Sequence, residues 1–273
     1  MTTLPLGDRS LTTEEIIPLL ASYKLIPQFI CESIIDRAIA PIRCTPEETA
    51  QACQEFYRHW ELTSEAEKEA WREQYGMSQE QLEGLATRKL RVEKFKQATW
   101  GSQLERYFLK RKSQLDSVIY SLIRTKNGGI AYELYFRLEE GEQSFAELAR
   151  EYSEGPEAGT GGLMGPVELG TLHPTLANIL YSSQAQIGVV RPPIRLGEVY
   201  VIIRVEKLIP AQLNNFTRQR LLQEKFEAWF QQQLNQLPDR DKIWMGVPVN
   251  RQIEASSNLG YRSRYVGFAE KVL

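Results

Sequence analysis

Residues able to do chemistry are few in this chain, and their spacing excludes most reaction classes. The two histidines, His59 and His173, lie far apart, and neither has a second His, a Cys or a paired acid at metal-ligand spacing. His59 sits among Phe56, Tyr57 and Trp60 in a helical pattern, and His173 precedes Pro174 at a helix entry, so surface and capping roles are expected. Cys31, Cys44 and Cys53 follow one another at spacings of 13 and 9, which fits no zinc template and leaves an odd thiol. They read as small apolar side chains in a reducing compartment, with no nucleophile among them. A glycine-rich stretch at residues 155–165 lacks the Lys-Ser/Thr ending and the preceding apolar strand of a phosphate loop. No metal and no cofactor is expected. Glu133, between Tyr132 and Leu134, is an acid that either faces a site or lies on the solvated face of a strand.

Two kinds of sequence must position these residues. From Thr12 to about Arg124 apolar residues recur at three and four, and Gly and Pro collect at element ends, which predicts an all-helical module over residues 1–129. Thr12, Thr45 and Ser78 each precede an acidic or proline-bearing first turn and are expected caps. From Ser78 onward the pattern allows two helices broken near Gly101 or one long one. Asn127-Gly128-Gly129 is a turn signal, and the β-branched and aromatic residues 130–136 predict a strand that opens a second domain over residues 130–209. A helix at 145–152, the glycine-rich loop, a helix at 174–181 and a strand at 199–205 complete a small α+β domain. Residues 217–237 carry a broad apolar stripe, including Leu221, Phe226, Trp229 and Phe230, and within 210–237 are expected to return as a helix onto the helical module. Residues 238–273 are read as an irregular tail.

Composition agrees with a globular chain: of 273 residues, 42% are hydrophobic and 25% charged, which excludes disordered and low-complexity classes. The net charge of -2 gives no field that would argue for nucleic acid or an anionic membrane as the main partner. The charge is uneven, however. Residues 88–112, beginning at Arg88 and ending at Lys112, hold 9 basic and 2 acidic residues; residues 130–209 hold 6 basic and 11 acidic. The basic stretch interleaves Phe95, Trp100, Tyr107 and Phe108, but at helical spacing such aromatics belong to a core, so an acidic client is favoured there over nucleic acid. Glu139, Glu140, Glu142, Glu147, Glu151, Glu154 and Glu157 are expected on an exposed helix and loop. No apolar run approaches a membrane span, and no secretory leader is recognised near the start, so the expected compartment is the cytoplasm.

The second domain resembles the parvulin family of peptidyl-prolyl isomerases, whose landmarks are an A-R-H-I-L strand, an F-x-x-L-A-x-x-Y-S helix, a G-G-D-L-G loop, an M-V-P-x-F helix entry and a G-Y-H-I-I-K-V strand. Here residues 131–135 (AYELY), 145–153 (FAELAREYS), 161–165 (GGLMG), 172–176 (LHPTL) and 199–205 (VYVIIRV) look like these in order and spacing. Residues 76–90 are similar to the helix that leads into the parvulin domain of SurA-like and PrsA-like chaperones, and residues 217–237 to their returning helix. Carried over residue by residue, the resemblance implies a substrate groove at Glu133, Leu163, Met164, Leu172, Leu176 and Val201. Glu133 and Val201 stand at the histidines, Leu163 at the acid, Leu172 and Leu176 at the Met and Phe, and Met164 at the neighbouring Leu position. With the apolar lining kept and the polar network replaced, the resemblance implies a foldase or chaperone that binds extended, proline-containing polypeptide with weak or lost isomerase activity. An active isomerase with an atypical site, and a dedicated assembly protein using the fold as a scaffold, are the alternatives.

Overall fold

Reciprocal capping sets where several helices begin. The N–H groups of Thr12, Thr45, Ser64, Ser78 and Ser144 each donate to the side chain of Glu15, Glu48, Glu67, Gln81 and Glu147 three residues on. The computed structural model describes residues 3–6, 9–182 and 187–245. In chain order the elements are a hairpin of β1 (Thr3–Leu6) and β2 (Arg9–Thr12), then α1 (Thr13–Ser22), α2 (Ile26–Ile39), α3 (Pro46–His59), α4 (Glu65–Gln74) and α5 (Gln79–Trp100). A 3-10 turn at Gly101–Gln103 separates α5 from α6 (Leu104–Leu115), so the long helical pattern resolves into two helices broken at Gly101. There follow β3 (Ser117–Thr125), α7 (Gly128–Glu139), α8 (Phe145–Tyr152), a 3-10 turn at Pro156–Thr160, β4 (Leu163–Glu168), α9 (Pro174–Ser182), β5 (Val190–Leu196), β6 (Val199–Ile209), α10 (Asn215–Asn235) and α11 (Asp239–Trp244).

The chain divides into two compact units, the described residues up to Leu104 with those from Gln219 onward, and Glu105–Arg218 between them. The first unit is helical with the small β1–β2 hairpin. Its core joins Ile35 and Ile39 of α2, Val92 of α5 and Phe226 and Phe230 of α10, with Phe95, Trp100 and Trp229 packed against them. Lys96 is buried in this core. Its ammonium reaches Glu93 and Gln223, each at 2.7 Å, and lies 5.1 Å from the centre of the Phe226 ring. A buried lysine is tolerated because three partners replace its water. Part of the basic stretch is likewise spent inside this unit: Arg88 pairs with Glu32 and Asp36, and Lys94 with Glu48. A satellite cluster of Cys53, Trp71 and Leu82, packed by Phe56 and Tyr57, ties α3, α4 and α5 together.

The second unit is built on a four-stranded antiparallel sheet in the order β4-β3-β6-β5. On one face Ile123 and Ile202 pack with Leu134 of α7 and Phe145, Leu148 and Ala149 of α8. On the other, Tyr120, Leu122, Val201, Ile203 and Val205 pack with Leu180 of α9. Central β3 is therefore covered on both sides, and with six of its nine residues buried it does not show the simple alternation of a half-exposed strand.

Three expectations are corrected here. Residues 130–136 are helix, not strand: the Asn127 side chain accepts from the N–H groups of Gly129 and Ile130, and Ala131 and Leu134 fall on the buried face one turn apart. The first strand of the sheet is instead β3, which lies in the stretch up to about Arg124 where the periodicity predicts helix. Glu157 is not a solvated loop acid but is enclosed, with its side chain 0% exposed. Of the expected irregular tail, Asp239–Trp244 is helix and the remainder after residue 245 lies outside the described residues.

Candidate functional site

The face of the sheet under α9 gathers most of the groove expected from sequence. Register places Met164 opposite Tyr120, Tyr120 opposite Val205, and Arg124 opposite Val201, so these side chains share one face across β4, β3 and β6. Leu172 and Leu176 pack onto the same cluster from the α9 side. Met164, Leu172, Leu176 and Val201 are thus brought together, with Val201 buried and the other three half-buried. Leu163 is not with them, since it pairs with Ser121 on the opposite face. Glu133 is on α7, exposed, and ion-paired with Arg137 one helical turn on. Neither lies on the face that Met164, Leu172, Leu176 and Val201 share; the strand next to β4 and β6 there is β3.

What β3 supplies is Tyr120 and Arg124. The Arg124 guanidinium makes a two-pronged pair with Glu157, Nε to Oε1 at 3.0 Å and Nη2 to Oε2 at 2.7 Å. The Ser153 hydroxyl donates to Glu157 Oε1 at 2.8 Å and accepts from the Arg124 backbone N–H at 3.0 Å. One further backbone bond, from the Glu154 N–H to the Arg124 carbonyl at 2.8 Å, fastens the segment after α8 to the end of β3. The Tyr120 phenol is pushed above its ordinary pKa by burial first and then by the Glu157 charge, with Arg124 pulling the other way, so it stays protonated at neutral pH. The sequence signal for this pair is a charged residue closing an apolar alternation, Val118, Tyr120, Leu122, Arg124, within the stretch whose periodicity predicts helix.

The glycines explain themselves by close approach to β3 rather than by a ligand. A Cβ on Gly162 would lie 2.8 Å from the Leu122 carbonyl oxygen, and one on Gly165 2.5 Å from that of Val118; both residues have positive φ. His173 caps α9, its Nδ1 accepting from the Thr175 N–H at 3.3 Å. His59 is exposed against the edge of Trp60. Among the described residues, no three His, Cys, Asp or Glu converge as a metal site, and no helix is long and apolar enough to cross a membrane.

A small antiparallel sheet with a helix pair on one face, an apolar cluster under α9 on the other and a glycine loop make up a small α+β domain. The family model of the PPIC-type PPIase domain matches residues 124–207, and the chain carries a parvulin-type domain of this family. Among solved structures, the chain is similar to the peptidylprolyl isomerase PrsA from Bacillus cereus, at 19% identity over 92% of this chain and 92% of that one, with a TM-score of 0.47. It is also similar to a structure from the pair of SurA-like chaperones PEB4 and Cj1289 of Campylobacter jejuni, at 14% identity over 92% of this chain and 100% of that one, TM-score 0.35. The parvulin domain of PpiD from E. coli is 28% identical over 37% of this chain and 97% of its own length, TM-score 0.32. No curated protein matches the chain.

Proposed function

We propose that this chain is a foldase-type chaperone whose parvulin-type domain binds extended, proline-containing polypeptide and isomerises X-Pro bonds slowly or not at all. The observation that carries the reading is the make-up of one sheet face: an apolar floor of Tyr120, Met164, Leu172, Leu176 and Val201, whose neighbouring acid, Glu157, is already committed to Arg124 and Ser153. An apolar face of this kind suits a proline ring. Turnover asks for more, because rotation about the prolyl amide meets a barrier of about 18–20 kcal/mol, and only groups that hold the twisted amide better than either planar isomer lower it. None of these five floor residues is itself an imidazole, a thiol or a carboxylate. Cys31, Cys44 and Cys53, at spacings of 13 and 9, suit no paired framework, and the proposed compartment is the reducing cytoplasm.

The test is to titrate short X-Pro peptides into the full chain, following amide shifts and cis–trans exchange in one experiment. Binding without accelerated exchange is expected, and Leu176→Glu should abolish the shifts, since an unpaired charge in a desolvated groove costs several kcal/mol, about 3 or more. Exchange catalysed as fast as by an ordinary parvulin, or no binding at all, would overturn the reading.

A further inference from the structure

The Arg124–Glu157 pair has a use beyond holding a loop. Arg124 stands at the rim of the apolar face, opposite Val201, and its side chain is 35% exposed whereas that of Glu157 is 0% exposed. Two of its five N–H groups go to Glu157, and the other three have no partner among the described residues. A planar fork anchored on one edge presents its free edge in a fixed direction. The carboxylate behind it matters as much as the donors. Glu157 carries its own hydroxyl donor from Ser153 and sits at 2.7 and 3.0 Å from the guanidinium, so an incoming group meets a near-cancelled charge pair rather than a bare cation.

We infer that Arg124, caged by the buried Glu157, is a peptide-binding residue that donates to a main-chain carbonyl of the proline-containing segment, and that the cage removes the advantage an acidic side chain would have over this neutral acceptor. The assignment rests on the reading of the domain as a proline-peptide binder and names the polar recognition that the apolar face lacks. A carbonyl takes one or two N–H donors without needing net charge, whereas a carboxylate gains from a cation chiefly through the charge that Glu157 cancels. Specificity then follows from the pair as a unit: proline is read by the apolar floor, the backbone by Arg124, and the residue before proline is not selected for acidity.

The test uses the full chain with two peptides that differ only in carrying Ala-Pro or Glu-Pro, titrated at roughly 20 and 300 mM salt, where screening of exposed charges differs strongly. The wild type is expected to bind both peptides within a few-fold, with little dependence on salt. Arg124→Gln should weaken both by about tenfold, the worth of a hydrogen bond from a charged donor; Arg124→Lys, which keeps the charge and loses the fork, takes its place if the glutamine variant does not fold. Glu157→Gln should uncage the cation and favour Glu-Pro over Ala-Pro by about tenfold at low salt, with the preference collapsing at high salt. A pair that served only to hold the loop would give a Glu157→Gln chain that loses both peptides equally, and that result overturns the assignment. So does unchanged binding by Arg124→Gln, or a salt-dependent Glu-Pro preference in the wild type. A wild type that binds neither peptide overturns the proline-peptide reading itself, which separates the two failures.

Discussion

The second unit encloses one carboxylate completely, with the Glu157 side chain 0% exposed. Glu157 lies in the 3-10 turn Pro156–Thr160, held by Arg124, by Ser153 and by the hydrogen bond from the Gly162 N–H to its own carbonyl at 2.8 Å. Gly155 makes room for it: a Cβ there would fall 2.3 Å from Oε2 and 2.4 Å from Oε1. No heavy-atom pair tolerates that separation, so alanine must displace the carboxylate or the strand end it grips. The glycine is needed for the volume of its neighbour, not for a left-handed backbone. Gly155→Ala should therefore cost about 1–3 kcal/mol of stability, read by urea unfolding, and should be nearly neutral in a Glu157→Ala background where the clash is gone. Equal losses in both backgrounds would show that the carboxylate is not what the methyl meets.

Helix ends illustrate the same physics one level up, and they divide what local sequence could reveal from what it could not. In α4 the N–H groups of Ser64 and Thr63 donate to Glu67 Oε2 at 2.8 and 2.7 Å, and these backbone and hydroxyl donors pull the Glu67 carboxyl from 4.5 down to about 2. A lowered folded-state pKa means that the contribution is present above the unfolded value and is lost as pH falls from about 4.5 toward about 2. Fraying at the start of α4, followed by the amide shifts of Thr63 and Ser64, should track that window; fraying already complete at pH 4.5 would contradict it. Such boxes depend on residues three apart, which is why the starts at Thr45 and Ser78 were legible from sequence. The start of α7 was not. Its Ile130, Tyr132, Tyr135 and Phe136 have strand-like composition, yet the Asn127 cap and the buried Ala131 and Leu134 settle the segment as helix. Conversely β3 has residues such as Tyr120, Ser121, Leu122 and Ile123 buried in succession, a pattern that tertiary covering on both faces produces and that local periodicity cannot distinguish from a core helix. That single exchange changes which residues lie together: Met164, Leu172, Leu176 and Val201 share one cluster with Tyr120 of β3, while Glu133 lies on α7.

At the scale of the molecule, the register of the central strands explains how one unit can interrupt another. Ser117 at the start of β3 pairs with Ile209 at the end of β6, so the chain enters and leaves the sheet at adjacent points. The Ala211 N–H then donates to Asp116 at 2.7 Å, closing that neck just outside the sheet. A unit whose ends meet imposes little strain on the chain it interrupts. The first unit needs the segment on the far side of the interruption, because Phe226 and Phe230 of α10 are buried with Ile35, Ile39 and Val92. The two halves of this argument predict opposite outcomes for two deletions. Replacing residues 105–218 by a short flexible linker should leave a helical unit that unfolds cooperatively, since all five of those core residues are retained. Ending the chain at residue 214 should not, since it uncovers Ile35 and Val92, and each large apolar side chain taken out of a core costs about 2–5 kcal/mol, against a total stability for a domain of about 5–15 kcal/mol. Thermal unfolding followed by circular dichroism at 222 nm separates the cases: a sigmoidal transition for the excised chain and a broad, sloping one for the truncated chain are expected. A truncated chain that melts as sharply as the excised one would mean that α10 is dispensable to the first unit and that the core drawn around Phe226 does not hold it together.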